Sequence, residues 1–163
     1  MGYRKILLAL DGSKQSERAI QHVVTIADPH AYIHVLSVMA PDRFSEVASF
    51  VGAATSSAAE SAEHWPAIDP VDDPHALQAR QDYLKHVTDW LAPLGFDVTV
   101  DTRPGDVIQT ILETARDGFE IIVMTTHGRT GIAKVVVGSV AEGVLHAAPC
   151  PVLIIPTRED SPA

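Results

Sequence analysis

Apolar residues in this chain fall into two spacings that alternate from end to end. Ile6 to Leu10, Ile33 to Val38, Ile121-Ile122-Val123-Met124 and Val152 to Ile155 are short, nearly continuous apolar runs, the pattern of strands buried on both faces. Between them apolar residues recur three and four apart, as on one face of a helix. The first such stripe is Ala19, Ile20, Val23, Val24 and Ala27, and the second is Leu77, Leu84, Val87 and Leu91 with Tyr83 and Trp90 alongside. The third is Val107, Ile108, Ile111, Leu112 and Ala115. Ser13 can cap the first helix, which ends near Asp28-Pro29, and the second stops at Gly95, where glycine tolerates a left-handed cap. The third opens near Pro104-Gly105 and closes at Gly118, and a last helix runs from about Ser139 to Ala147. Phe96, Val98 and Val100 alternate with Asp97 and Thr99, which predicts a half-exposed, edge-like strand.

Buried strands separated by helices predict an α/β fold, a doubly wound, five-stranded parallel sheet with helices on both faces. In such sheets ligands bind beyond the carboxyl ends of the strands, where the strand order reverses. One stretch interrupts the alternation. Met39 to Pro74 is rich in Ala, Ser and acids and ends in Trp65-Pro66-Ala67-Ile68-Asp69-Pro70-Val71-Asp72-Asp73-Pro74. It reads as a flexible acidic insertion with a short helix, or as a lid or partner contact anchored by Phe50 and Trp65.

The chemistry concentrates at Thr125-Thr126-His127-Gly128-Arg129-Thr130-Gly131-Ile132-Ala133-Lys134-Val135-Val136-Val137-Gly138-Ser139, a glycine-punctuated loop between a strand and a helix. Such a loop is an anion site: unpaired N–H groups at the helix start face it, and glycines admit an oxyanion where a Cβ would collide. Ser139-Val140-Ala141-Glu142 has the Ser-x-x-Glu form of a capping box. No Gly-Lys-Ser/Thr follows at the P-loop spacing, and no Gly-x-Gly-x-x-Gly of a dinucleotide fold is present.

Together with the opening Lys5-Ile6-Leu7-Leu8-Ala9-Leu10-Asp11-Gly12-Ser13 and the ending Ala148-Pro149-Cys150-Pro151-Val152-Leu153-Ile154-Ile155-Pro156, this loop resembles the universal stress protein family over nearly the whole chain. The family pattern is Gly, two residues, Gly, nine residues, Gly, then Ser or Thr. Here Gly128, Arg129 to Val137 and Gly138-Ser139 match it, and Thr125 stands where the first glycine belongs. A β-branched residue there narrows the pocket, or its hydroxyl offers one more hydrogen bond. The resemblance implies a Rossmann-like sheet of the adenine-nucleotide α-hydrolase type, with strands one and four adjacent and one domain over residues 1–163.

It further implies an ATP site, with Mg²⁺ or Mn²⁺ on the phosphates, built from Ala9, Leu10, Asp11, Val35, Met124, Thr125, His127, Gly128, Arg129, Gly131, Gly138, Ser139 and Val140. Ala9 and Val35 would reach adenine through backbone groups, and His127 would offer its backbone more than its ring. Asp11 either bonds turn amides or meets ribose or a phosphate-bound metal. Ser139 either caps its helix or donates to a phosphate. Glu142 would repel a phosphate slightly, which argues for a metal or Arg129 as the compensating charge. A homodimer through Val152 to Ile155 is the implied assembly, and it would also cover a terminal strand edge.

Composition narrows the function classes. The 163 residues are 46% apolar, enough for one sizeable core. The net charge is −9, and two thirds of it lies between Pro41 and Asp73, where Asp42, Glu46, Glu60, Glu63, Asp69, Asp72 and Asp73 face only Arg43. No basic patch with interleaved aromatics appears, which argues against nucleic acid and anionic membrane as partners. The single cysteine, Cys150, excludes an internal disulfide and fits a reducing, cytoplasmic setting. It sits between two prolines, as a small buried residue would. His22, His30, His34, His64, His75, His86 and His146 show no metal-binding spacing.

No nucleophile elbow or carboxylate pair accompanies the loop, and Asp11 and His127 are the only titratable groups near it, so any ATP hydrolysis is expected to be slow. The expected function is regulatory nucleotide binding in a stress response. The alternatives are a dimeric, chaperone-like interaction module without nucleotide, marked by Thr125, and an enzyme of the adenine-nucleotide α/β group, which would need a second substrate pocket.

Overall fold

A computed structural model describes residues 2–13, 16–39, 74–127 and 138–157. Five strands, β1 (Tyr3–Ala9), β2 (Ala27–Met39), β3 (Asp97–Pro104), β4 (Ile121–His127) and β5 (Val152–Thr157), form one sheet in the order β3-β2-β1-β4-β5. Every pairing is parallel. Among the described residues four α-helices alternate with them: α1 (Glu17–Ile26), α2 (Pro74–Leu91), α3 (Val107–Ala115) and α4 (Ser139–Ala147).

The strand pleat divides the apolar runs between two cores. Ile6, Leu8, Ile33, Val35, Ile121 and Val123 pack under α1 and α2, against Ile20, Val23, Val87 and Leu91. Leu7, Leu36, Ile122 and Met124 pack on the other face under α3 and α4, against Ile111, Leu112, Ala141 and Val144. Each fully buried aliphatic side chain stabilises the fold by about 1.5–3 kcal/mol relative to exposure. Because consecutive apolar residues serve opposite faces, the runs had to be continuous, and the doubly wound sheet inferred from them is the one observed. β3 lies at the edge, with Val100 44% exposed, as its alternating pattern predicted.

Several boundaries differ from the sequence reading. The first helix begins at Glu17, not beside Ser13; its N-cap is Ser16, whose N–H donates to the Ser13 hydroxyl oxygen at 3.2 Å. It ends at Ile26, because Ala27 is already extended and is held in the ladder opposite Tyr3. β2 therefore starts well before Ile33, with an irregular register between Tyr3 and Lys5 and a left-handed His30 at φ 65°. Pro104 closes β3 instead of opening a helix, and the N-cap of α3 is Asp106, whose carboxylate accepts from the Gln109 N–H at 3.0 Å. α2 runs into a 3₁₀ turn, Ala92–Leu94, capped by the left-handed Gly95 as expected. The acidic insertion at 39–74, with Phe50 and Trp65, lies almost wholly outside the described residues.

Candidate functional site

Three adjacent strands end at different heights, and the step between them makes a notch. The last rungs of β1 are Ala9 opposite Leu36 on one side and Ala9 opposite Met124 on the other. Leu10 adds one more bond, from its N–H to the Leu36 carbonyl at 2.9 Å, before the chain turns away. β2 continues through Ser37, Val38 and Met39, paired only with β3, and β4 continues through Thr125, Thr126 and His127, paired only with β5. Above the end of β1 the facing backbone edges of β2 and β4 thus have no strand between them among the described residues. Two inter-strand spacings set the gap at about 10 Å, which suits a planar heterocycle. The notch sits where the connections from β1 and from β4 diverge to opposite faces, the switch point of the sheet.

The predicted residues distribute around this notch unevenly. Ala9 and Leu10 form its floor, Met124 stands level with Ala9, and Thr125 rises along the β4 wall. His127 is the last paired residue of β4, opposite Thr157. Val35 lies lower, fully buried and level with Leu8, with ladder partners on both sides. The β2 residues that flank the notch are Ser37, Val38 and Met39, which sequence reasoning did not select; their signal would have been the height of the neighbouring strand end, which no single run displays. Gly128, Arg129 and Gly131 lie outside the described residues.

Asp11 stands just above the floor. Its Oδ1 accepts from the Ser13 N–H at 2.9 Å across Gly12, which is left-handed at φ 85°, so the turn-bonding reading of Asp11 holds for that oxygen. Arg80, on α2, reaches the same turn: its Nη1 donates to the Asp11 carbonyl at 2.5 Å and to the buried Ser37 hydroxyl at 3.0 Å. Arg80 was not singled out from the sequence, although it occupies a position on the Leu77, Leu84, Val87, Leu91 stripe where an apolar residue belongs.

The start of α4 differs from the capping box expected of Ser139 and Glu142. Gly138 is the N-cap and brings no side chain of its own to the helix end, and Ser139 is the exposed first residue of the helix. The fixed contact instead runs across the strand–helix junction, from the Gly138 N–H to the buried Thr126 hydroxyl at 2.9 Å. The first bond within the helix is from the Glu142 N–H to the Gly138 carbonyl. The N–H groups of Ser139, Val140 and Ala141 therefore precede the helical ladder and carry the positive end of its dipole. Since Thr126 belongs to one wall of the notch, its bond to Gly138 holds this helix end against that wall.

Elsewhere the chemistry is sparse. Among the described residues no group of three or more His, Cys, Asp or Glu could hold a metal, and no helix is long and apolar enough to cross a membrane. Burial raises the Cys150 thiol pKa above its ordinary value, which favours the protonated form over the nucleophilic thiolate. A shallow depression at the opposite, amino end of the sheet is lined by Gly2, Tyr3 and Thr25 to Pro29, but its carboxylate, Asp28, is engaged by the Gly2 N–H at 2.6 Å.

Comparison with known proteins adds kinship to this geometry. The universal stress protein family model matches residues 2–156. Universal stress protein MJ0531 of Methanocaldococcus jannaschii is 29% identical over 155 residues, covering 94% of this chain and 82% of the relative. The solved structure of the hypothetical protein MJ0577 superposes with a TM-score of 0.71 at 24% identity, over 99% of this chain and all of the other. A universal stress protein in complex with cAMP superposes at 0.61 and 19% identity, over 97% of this chain and 100% of that one. At those identities the two structures speak to the fold alone.

Proposed function

The chain belongs to the universal stress protein family, and on that premise we propose that it is a regulatory protein of a stress response that binds ATP in the notch above β1. The observation that carries this reading is the stepped strand ending: backbone edges at 37–39 and 125–127, about 10 Å apart, with Ala9 and Leu10 beneath. Adenine inserted there meets amide donors and acceptors that a further turn of β1 would otherwise have used. The polyphosphate then extends toward Gly138 and the N–H groups that open α4, with Mg²⁺ or Mn²⁺ offsetting its charge, and the family pattern adds Gly128 and Gly131 as further phosphate contacts. Asp11, at the end of β1, serves ribose or the metal. The cAMP complex of a relative with the same fold supports an adenine nucleotide as the ligand class.

Turnover is slow in this reading, since the sequence around the loop carries neither a nucleophile elbow nor a carboxylate pair to activate water. The protein works as a single-domain homodimer in the cytoplasm, where ATP biases partner choice. β5 supports the dimer: it is a sheet edge with β4 as its strand partner among the described residues, and a second copy would cover the row of unpaired groups. Thr125 favours a second reading, an interaction module without nucleotide, because its side chain stands on the β4 wall where the family pattern has glycine.

Isothermal titration with ATP and Mg²⁺ decides between the two. Binding by the native chain that is lost in Gly138→Asp supports the ATP site. No binding to a folded native chain overturns it and leaves the interaction module.

A further inference from the structure

Arg80 is a cation on the core-facing stripe of α2, one turn before Leu84, which is buried under the sheet. Such a position is costly for a charge unless hydrogen bonds compensate. Two do: one guanidinium nitrogen serves both the Asp11 carbonyl and the Ser37 hydroxyl. These acceptors belong to the two strand ends on one side of the notch, so Arg80 ties the end of β1 to the end of β2. Gly12 leaves room for the guanidinium, since a Cβ there would stand 3.0 Å from the Arg80 Nη1 and push it aside slightly.

A second contact lies three residues along the same helix. The Tyr83 hydroxyl is 3.0 Å from Ser16 Oγ, and the Ser16 hydroxyl donates its one proton to the Ser13 carbonyl at 2.6 Å. Tyr83 is therefore the donor in the first bond. Its pKa is raised, chiefly by burial, so it keeps that proton. Asp11, Gly12 and Ser13 are thus held from α2 at both ends of their turn, by Arg80 at the start and by Tyr83 through Ser16 at the finish.

Resting on the ATP site proposed above, we propose that Arg80 is a positioning residue for that site: it fixes the height of the Asp11 turn, so that the Asp11 carboxylate meets the ribose or metal of a bound nucleotide. The same contact makes nucleotide occupancy and the seating of α2 interdependent.

The test is titration with ATP and Mg²⁺ of the native chain, Arg80→Ala, Arg80→Gln, Arg80→Lys, Asp11→Ala and the Arg80→Ala/Asp11→Ala double variant, each first shown to melt cooperatively. Losing a charge-assisted bond that orients one contact should weaken ATP roughly tenfold in Arg80→Ala. Arg80→Lys should recover part of this, since an ammonium can still reach one acceptor. The double variant should bind no worse than Asp11→Ala alone, because Arg80 acts through Asp11. Unchanged affinity in Arg80→Ala, or an undiminished Arg80 effect in the Asp11→Ala background, overturns the proposal; a general loosening of the fold gives the second result. Should Arg80→Ala not fold, Arg80→Gln, which keeps the length and neutral donors, carries the same comparison. A native chain that binds no ATP overturns the nucleotide reading itself, and the role of Arg80 falls with it, a result distinct from binding that is indifferent to Arg80.

Discussion

Gly138 has extended backbone angles, φ −61° and ψ 155°, so a side chain is conformationally admissible there. An aspartate would be a good N-cap for α4, with its carboxylate over the N–H groups assigned to phosphate. Gly138→Asp should therefore unfold within about 0.5 kcal/mol of native, by urea titration, while abolishing ATP binding. A large loss of stability would mean that glycine is needed for folding and would void the variant as a probe. His34 makes a second case in which one residue sets a solution property. Its Nε2 is buried without a hydrogen-bond partner among the described residues, and its Nδ1 lies 2.8 Å from the Thr99 hydroxyl. Around it are Lys5 on β1, Tyr32 on β2, Asp101 and Arg103 on β3, and Asp117 and Phe119 beyond α3. Burial outweighs the two aspartates and lowers its pKa below 6.5. Because the folded value is below the unfolded one, this contribution to stability is present above pH 6.5 and is lost as pH falls through the folded pKa. One proton bounds the slope at about 1.4 kcal/mol per pH unit. Denaturation of His34→Gln between pH 7 and 5 should show a flatter dependence than native, and parallel curves would refute the assignment.

Elements meet where side chains are smallest. Gly143, in the middle of α4, faces Ile108 of α3: a Cβ at Gly143 would lie 2.6 Å from the Ile108 Cδ1. The glycine lets the two helices approach over the core of Leu36, Ile111 and Val144. Gly143→Leu should destabilise by roughly 1–3 kcal/mol through overpacking, and Ile108→Ala in the same chain should return part of the loss. Equal costs in the two backgrounds, measured by urea titration, would show that the helices do not interlock there. The sequence carried this pairing only in part. The stripe of α3 marked Ile108 as apolar, but the contact between helices about thirty residues apart depends on both crossing the same sheet face. Cap positions were legible to within a few residues at best. Ser139 looked like an N-cap because Ser-x-x-Glu is a local signal, yet Gly138 holds that place because its N–H is fixed by Thr126 on the neighbouring strand. Conversely, Asp106 caps α3 by accepting from the Gln109 N–H, a local signal that the sequence reading passed over when it placed the helix start near Pro104-Gly105.

For the whole molecule, the dimer proposal is tested by mass in solution. Light scattering on the native chain should give twice 17.5 kDa, and Ile154→Pro should shift the particle toward the monomer, since proline removes an edge donor and disrupts pairing. A native monomer would end the proposal. At this scale the limits of sequence and of structure separate cleanly. Element type and order, two-sided burial of the strands, the edge character of β3 and the glycine-rich loop all follow from local composition and period, because each depends on neighbours in the chain. Strand order, the three-residue step of β2 and β4 beyond β1, the height of Val35 below the notch, and the reach of Arg80 to Asp11 and Ser37 are non-local. They depend on the right-handed crossovers and on the register that hydrogen bonding fixes between strands far apart in sequence, so only the tertiary structure decided them.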